Sequence, residues 1–157
     1  MASQNIIIGA DHAGFALKNA CKEFLTGMGY VVTDAGPQNE EPVDYPDFGI
    51  AVARAISARK FDRGILICAS GIGMSIVANK FPGVRAALCL DADMARLSRL
   101  HNNANILVLA GRKTDKESAR RIVEVWLSTL FEGGRHEKRL AKIDDLEGSL
   151  YACPISE

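Results

Sequence analysis

The 157-residue sequence has no excess of either charge: nineteen Lys and Arg stand against nineteen Asp and Glu. A bulk electrostatic attraction to nucleic acid or to an anionic membrane is therefore not expected, and any anion recognition must be local. No apolar stretch approaches the roughly 20 residues that a membrane-spanning helix requires. The first residues, Met1 to Asn5, lack the basic region followed by a long apolar one that marks a secretory leader. The cysteines Cys21, Cys68, Cys89 and Cys153 are widely spaced, which fits a reduced, cytoplasmic protein better than a disulfide framework. There is no internal repeat and no low-complexity linker, so the expectation is one domain over 1–157, long enough to bury its own core.

What the sequence does have is alternation. Runs rich in Ile, Val and Leu recur, each followed by a segment of helical period, as parallel strands with crossover helices require. Strands are predicted near Asn5–Gly9, Tyr30–Asp34, Arg63–Cys68, Val84–Cys89 and Asn105–Leu109. The first helix carries Leu17, Ala20, Cys21, Phe24, Leu25 and Met28 on one face and ends at Gly29. Pro46 opens the second, which carries Phe48, Ile50, Ala51, Val52, Ala55 and Ile56. Shorter helices follow over Ile72–Lys80 and Asp91–Leu100. A long one over Asp115–Leu130 is expected to bury Ala119, Ile122, Val123, Val125, Trp126 and Leu130, and a charged helix runs from about residue 135 through Leu146. The expected fold is a three-layer α/β/α, Rossmann-like arrangement around a five-stranded parallel sheet.

The segment from Gly64 to Ser75, Gly-Ile-Leu-Ile-Cys-Ala-Ser-Gly-Ile-Gly-Met-Ser, puts Cys68 where an apolar run breaks into a glycine-rich turn before a helix. In an open α/β sheet, ligands bind beyond the carboxyl ends of the strands, and free N–H groups at a helix start attract negative charge. Such a setting favours a thiol acting as thiolate, although a cysteine at a strand end is also commonly a small buried hydrophobe. Asp11 and His12 follow the first strand directly, so they belong at the same sheet edge as Cys68. His101 stands beside Asn102, Asn103 and Asn105, which either donate to a reacting oxygen or serve as local backbone caps. Arg135 and Arg139, four apart, present two guanidinium groups on one helix face, a geometry suited to a phosphate dianion or simply to solvent.

Several cysteine chemistries fail on spacing. A dithiol redox centre needs a second cysteine two residues beyond Cys68, where Ser70 and Gly71 follow instead. A cysteine phosphatase needs an arginine six residues on, and Met74 occupies that position. No Cys/His pair has the spacing of a zinc finger or a hydrolytic zinc site. Removing a proton from carbon beside a carbonyl remains open, with backbone N–H groups holding the charge that develops on oxygen.

These motifs resemble those of type B ribose-5-phosphate isomerases, within the group that includes galactose-6-phosphate and allose-6-phosphate isomerases. The similarity runs roughly from Ile6 to Leu140 through Gly9–Phe15, Asp44-Tyr45-Pro46, Ile67–Gly73, Ala78-Asn79-Lys80, His101-Asn102 and Glu132–His136. It implies that Cys68 is the general base acting through a cis-enediolate, and that His101, helped by Asp11, opens the sugar ring. Ser70 would position Cys68 or its water, while Asn102 and the amides of Gly71, Ile72, Gly73 and Met74 would steady the enediolate. His12, Arg112, Arg135 and Arg139 would hold the phosphate, and Asp44 and Tyr45 would shape the sugar pocket. The resemblance further implies a sugar-phosphate substrate of five or six carbons, no metal or cofactor, and a homodimer or tetramer with sites shared between subunits. The helix at about 135–150 would contact the partner. Ser70 stands where many relatives carry threonine, and Met74 stands where another branch has a glutamate base, so the cysteine branch is the better match.

Overall fold

A computed structural model of the chain describes residues 5–152; Cys153 and the positions before Asn5 considered above for a leader lie outside them. Five strands form one wholly parallel sheet in the order β2-β1-β3-β5-β4. They are β1 Asn5–Ala10, β2 Val31–Asp34, β3 Arg63–Cys68, β4 Ala86–Leu88 and β5 Ile106–Ala110. The helices are α1 Phe15–Gly27, α2 Tyr45–Ser57, α3 Ile72–Ala78, α4 Ala92–Asn102, α5 Lys116–Ser128 and α6 Arg135–Ala152.

Side chains of a strand alternate between faces, and here both faces are apolar. Ile6, Ile8, Ile65, Ile67, Leu107 and Leu109 meet α1, α4 and α5, with Trp126 buried among them. Ile7, Leu66, Cys68, Ile106 and Val108 meet α2 and α3 on the opposite face. The result is the expected three layers. Because β1 runs on to β2 on one side and β3 lies on the other, the chain reverses direction across the sheet between β1 and β3. Open parallel sheets bind their ligands at such a crevice.

Element ends differ from the sequence reading at β4, α1, α5 and α6. β4 shrinks to three residues because Arg85 gives its carbonyl to the N–H groups of Asn105 and Ile106 before the strand begins. Thr129 turns extended and ends α5, so Leu130 is 78% exposed instead of buried, and Met28 is likewise outside its helix and exposed. α6 is longer than expected, reaching Ala152, and among its described residues it leaves Ile143, Leu146, Leu150 and Tyr151 in solvent.

Candidate active site

Cys68 closes β3 and is 5% exposed, on the face that meets Met74. Backbone bonds knit its neighbours to it: the Asp11 N–H donates to Ile67 O (3.1 Å), Gly111 N–H to Cys68 O (2.8 Å) and Arg112 N–H to Ala69 O (3.0 Å). Asp11, buried, accepts from the Gly14 N–H at 2.9 Å and so caps the tight turn after β1. Only glycine fits at Gly14, because a Cβ there would sit 2.7 Å from Ile67 O.

The turn from β3 into α3 is made by Gly71 at φ 77°, a conformation that side chains resist. No side chain caps α3; Ser70 Oγ accepts from the Ile72 N–H at 3.3 Å. The N–H groups of Gly73 and Met74 fall in the first helical turn, where none has an intrahelical partner. Tyr45 packs against this turn, and a Cβ on Gly73 would come 2.6 Å from its ring. Asp44 begins α2 without making a side-chain cap, which leaves its carboxylate exposed at the same edge.

The loop carrying Asp44 is tied down twice. The His12 ring lies with Nδ1 3.2 Å from Val43 O and 3.3 Å from Val43 N. Lys18, wholly buried, donates to Asp34 at 2.8 Å and to Pro37 O at 2.5 Å, and Lys22 joins it on Asp34. Burial works against charge on Asp34, but the hydrogen bonds from Lys18, Lys22 and the Gly36 N–H outweigh it and hold the carboxyl below its ordinary value. Sequence reasoning passed over this pair, whose only signal is a lysine inside an otherwise apolar helix face.

The remaining expected residues collect elsewhere. α4 runs from the carboxyl ends of the strands back to their beginnings, so His101 and Asn102 in its last turn lie beside the start of β5. β3 rises about 3.3 Å per residue, which puts this edge on the order of 17 Å from Cys68. There Glu132 N–H donates to Leu100 O, and the His101 and His136 rings stack at 4.2 Å with 7° between planes. Glu132 Oε2 lies 3.4 Å from His136 Nε2 and 3.8 Å from His101 Nε2, while Arg135 Nε–H donates to His136 Nε2 at 3.3 Å. Burial first, then the nearby His101 and Arg135 charges, hold the His136 imidazole below its ordinary pKa. Arg139 follows Arg135 by one turn of α6, and both are exposed.

Asn103 and Asn105 turn out to be caps. Asn103 ends α4 in the left-handed conformation, and Asn105 bridges Arg85 N–H and Gly83 O. A groove of about 710 Å³ between α2 and α6 also lies at this edge, lined by Arg59, Asp62, Arg85, Asp144 and Glu147 among others. Cys68, Asp11 and His101 all lie outside it.

Residues 6–143 match the family described as Ribose/Galactose Isomerase. The chain belongs to that family. Ribose-5-phosphate isomerase B of Escherichia coli is 42% identical to this isomerase over 144 residues, covering 92% of this chain and 97% of the relative. The D-erythrulose-4-phosphate isomerase of Pectobacterium atrosepticum is 44% identical, covering 88% and 92%. The crystal structure of the Mycoplasma genitalium ribose-5-phosphate isomerase B, with ribulose 5-phosphate bound, superimposes with a TM-score of 0.90 at 41% identity, covering 94% of this family member and 99% of that chain.

Proposed function

We propose that this protein is an aldose-ketose isomerase interconverting D-ribose 5-phosphate and D-ribulose 5-phosphate, working in the cytoplasm as a homodimer whose sites are built from two chains. The observation that carries the reading is the Cys68 turn: a thiol with Asp11 bonded beside it and unpartnered amides one turn away, in a chain closely related to ribose-5-phosphate isomerase B.

In this reading Cys68 takes the proton from C2 of the open-chain aldose. The C2–H electrons form the C1–C2 double bond as the carbonyl pair moves onto O1, giving a cis-enediolate; a proton is then delivered to C1 while the O2 hydroxyl proton passes to O1, leaving the C2 carbonyl of the ketose. The amides of Gly71, Ile72, Gly73 and Met74 hold the oxygen where charge develops, which is the point at which preorganised donors act most strongly. Ser70 orients Cys68 or its water. The reaction redistributes two protons, from C2 to C1 and from O2 to O1, and one electron pair within the substrate, so it draws on no external oxidant or reductant.

Ring opening needs a proton carrier at the ring oxygen, and His101 is the group suited to it. Within one chain His101 and Cys68 sit at opposite edges of the sheet, which supports a site completed by a second copy. One subunit would supply Cys68, Asp11, Ser70, His12, Asp44, Tyr45 and Arg112; the partner subunit's His101, Asn102, Arg135 and Arg139 would close it. Exposed apolar residues support such pairing: Ile72 and Ile76 on α3, Leu90 and Met94 at the start of α4, and Ile143, Leu146 and Leu150 on α6.

The four-carbon substrate of the Pectobacterium relative keeps chain length open as a second reading. Steady-state assays on four-, five- and six-carbon aldose phosphates test it, with the highest kcat/KM expected on ribose 5-phosphate. Preference for a four- or six-carbon sugar phosphate would reassign the substrate while leaving the chemistry intact.

A further inference from the structure

Although no Cys/His pair in the sequence has the spacing of a zinc finger or hydrolytic zinc site, three ligating groups converge where the strands begin. His101 ends α4, His136 lies in the first turn of α6, and Glu132 sits in the connection between α5 and α6. Their ligating atoms all lie within 4.8 Å of one another. A tetrahedral zinc ion held by nitrogen and oxygen at about 2.0–2.2 Å keeps its ligand atoms about 3.3 Å apart. The separations of 3.4 Å and 3.8 Å from Glu132 to the two imidazoles are already close to that value. Only the two histidines must approach each other.

We propose that His101, Glu132 and His136 form an inhibitory site for a divalent transition metal such as Zn²⁺, which withdraws the His101 imidazole from the reaction. Two imidazoles and one carboxylate suit borderline ions such as zinc, copper and nickel, and three protein ligands leave a position for water. The free-base imidazole is the ligating form, and the buried setting of His136 favours that form. Two features oppose binding and keep the site weaker than an all-cysteine one. Arg135 must release His136 Nε2, and Arg139 adds positive charge one turn further along α6. The stacked rings lie in nearly parallel planes with centroids 4.2 Å apart, so one ring must tilt to aim its nitrogen at a shared ion. His101 is one-third exposed against 4% for the His136 side chain, so His101 is the ring that moves.

Metal binding stands on this geometry alone, whereas inhibition rests on the reading of His101 as the ring-opening group. The test is Co²⁺ titration of the chelator-stripped full-length protein, followed by absorption, with Zn²⁺ as competitor. One ion per chain is expected, with weak d–d bands and no intense sulfur-to-cobalt charge transfer. Glu132→Gln, at an exposed position, should weaken binding about tenfold or more, the range in which even outer-shell losses fall. Cys68→Ala should leave it unchanged. Zn²⁺ should suppress turnover of ribose 5-phosphate over the concentrations that fill the site, with recovery on adding EDTA. Absence of saturable binding, or binding lost in Cys68→Ala and retained in Glu132→Gln, overturns the site. Stoichiometric binding lost in Glu132→Gln but without inhibition overturns the inhibitory claim and faults the role of His101, leaving the isomerase assignment untouched.

Discussion

Cys68 and His101 occupy opposite edges of one sheet: the thiol closes β3, and the imidazole ends α4 beside the first residues of β5. A helix that joins two parallel strands must return to the edge where strands begin, so no side-chain rotation within one chain can bring these groups together. In the shared site proposed above, a second chain would supply the imidazole that the Cys68 edge lacks.

Replacing Cys68 with alanine should lower kcat by at least the roughly 10²–10⁴-fold that a general base contributes. Affinity for ribulose 5-phosphate should stay essentially unchanged, because the thiol acts on a carbon-bound proton and not on the phosphate. Calorimetric binding and steady-state rates on the same preparation check this. Turnover near the wild-type level would assign the base to another residue.

Arg135→Ala and Arg139→Ala should each raise KM with a smaller effect on kcat. A hydrogen bond to a charged group is worth about 1.5–3 kcal/mol, or roughly 10- to 150-fold in affinity. Inorganic phosphate as a competitive inhibitor should weaken in parallel. Unchanged inhibition by phosphate would make these arginines part of a solvated helix face only.

The Lys18–Asp34 pair predicts an acid limb in stability. The folded pKa of Asp34 lies below its ordinary value of 3.8, so its contribution is complete above that value and is lost as pH falls through the folded pKa. Asp34→Ala leaves a wholly buried lysine without its carboxylate and should cost about 3–5 kcal/mol. Denaturant melts from pH 6 down to about pH 3 should show the wild type losing stability at the acid end and the variant losing less. Equal slopes would mean that Lys18 is held by Pro37 O alone.

The sheet was legible because both its faces are apolar: uninterrupted Ile, Leu and Val at 6–8, 65–67 and 106–109 can serve only a strand buried on both sides. Element ends at Leu130, Met28 and Val84 were not: the carbonyl of Arg85 answers to Asn105 and Ile106 far along the chain, whereas α1 and α5 simply stop at Gly27 and Ser128, with Met28 and Thr129 bonded back into their own helices. The Cys68 turn announced itself through Ser70, Gly71 and Gly73. The division of the site between two edges was in principle available, because α4 had to run back from β4 to β5. The resemblance paired His101 with Asp11 and implied sites shared between subunits; within one chain the direction of α4 puts the two at opposite edges. Glu132 and His136 drew notice as a motif, but their convergence on His101 depends on how the chain returns after α5, which residue pattern does not encode.

The most direct test of the shared site is complementation between Cys68→Ala and His101→Asn chains. The two are co-expressed with different tags and the doubly tagged species is purified, which establishes that mixed dimers exist. In such a dimer one site carries both lesions, and the other carries an intact Cys68 facing the partner's intact His101. The purified mixed dimers should then recover about half of wild-type activity on ribose 5-phosphate, since each has one working site of two. Mixed dimers as inactive as either parent would contradict the account and require Cys68 and His101 to act within the same chain.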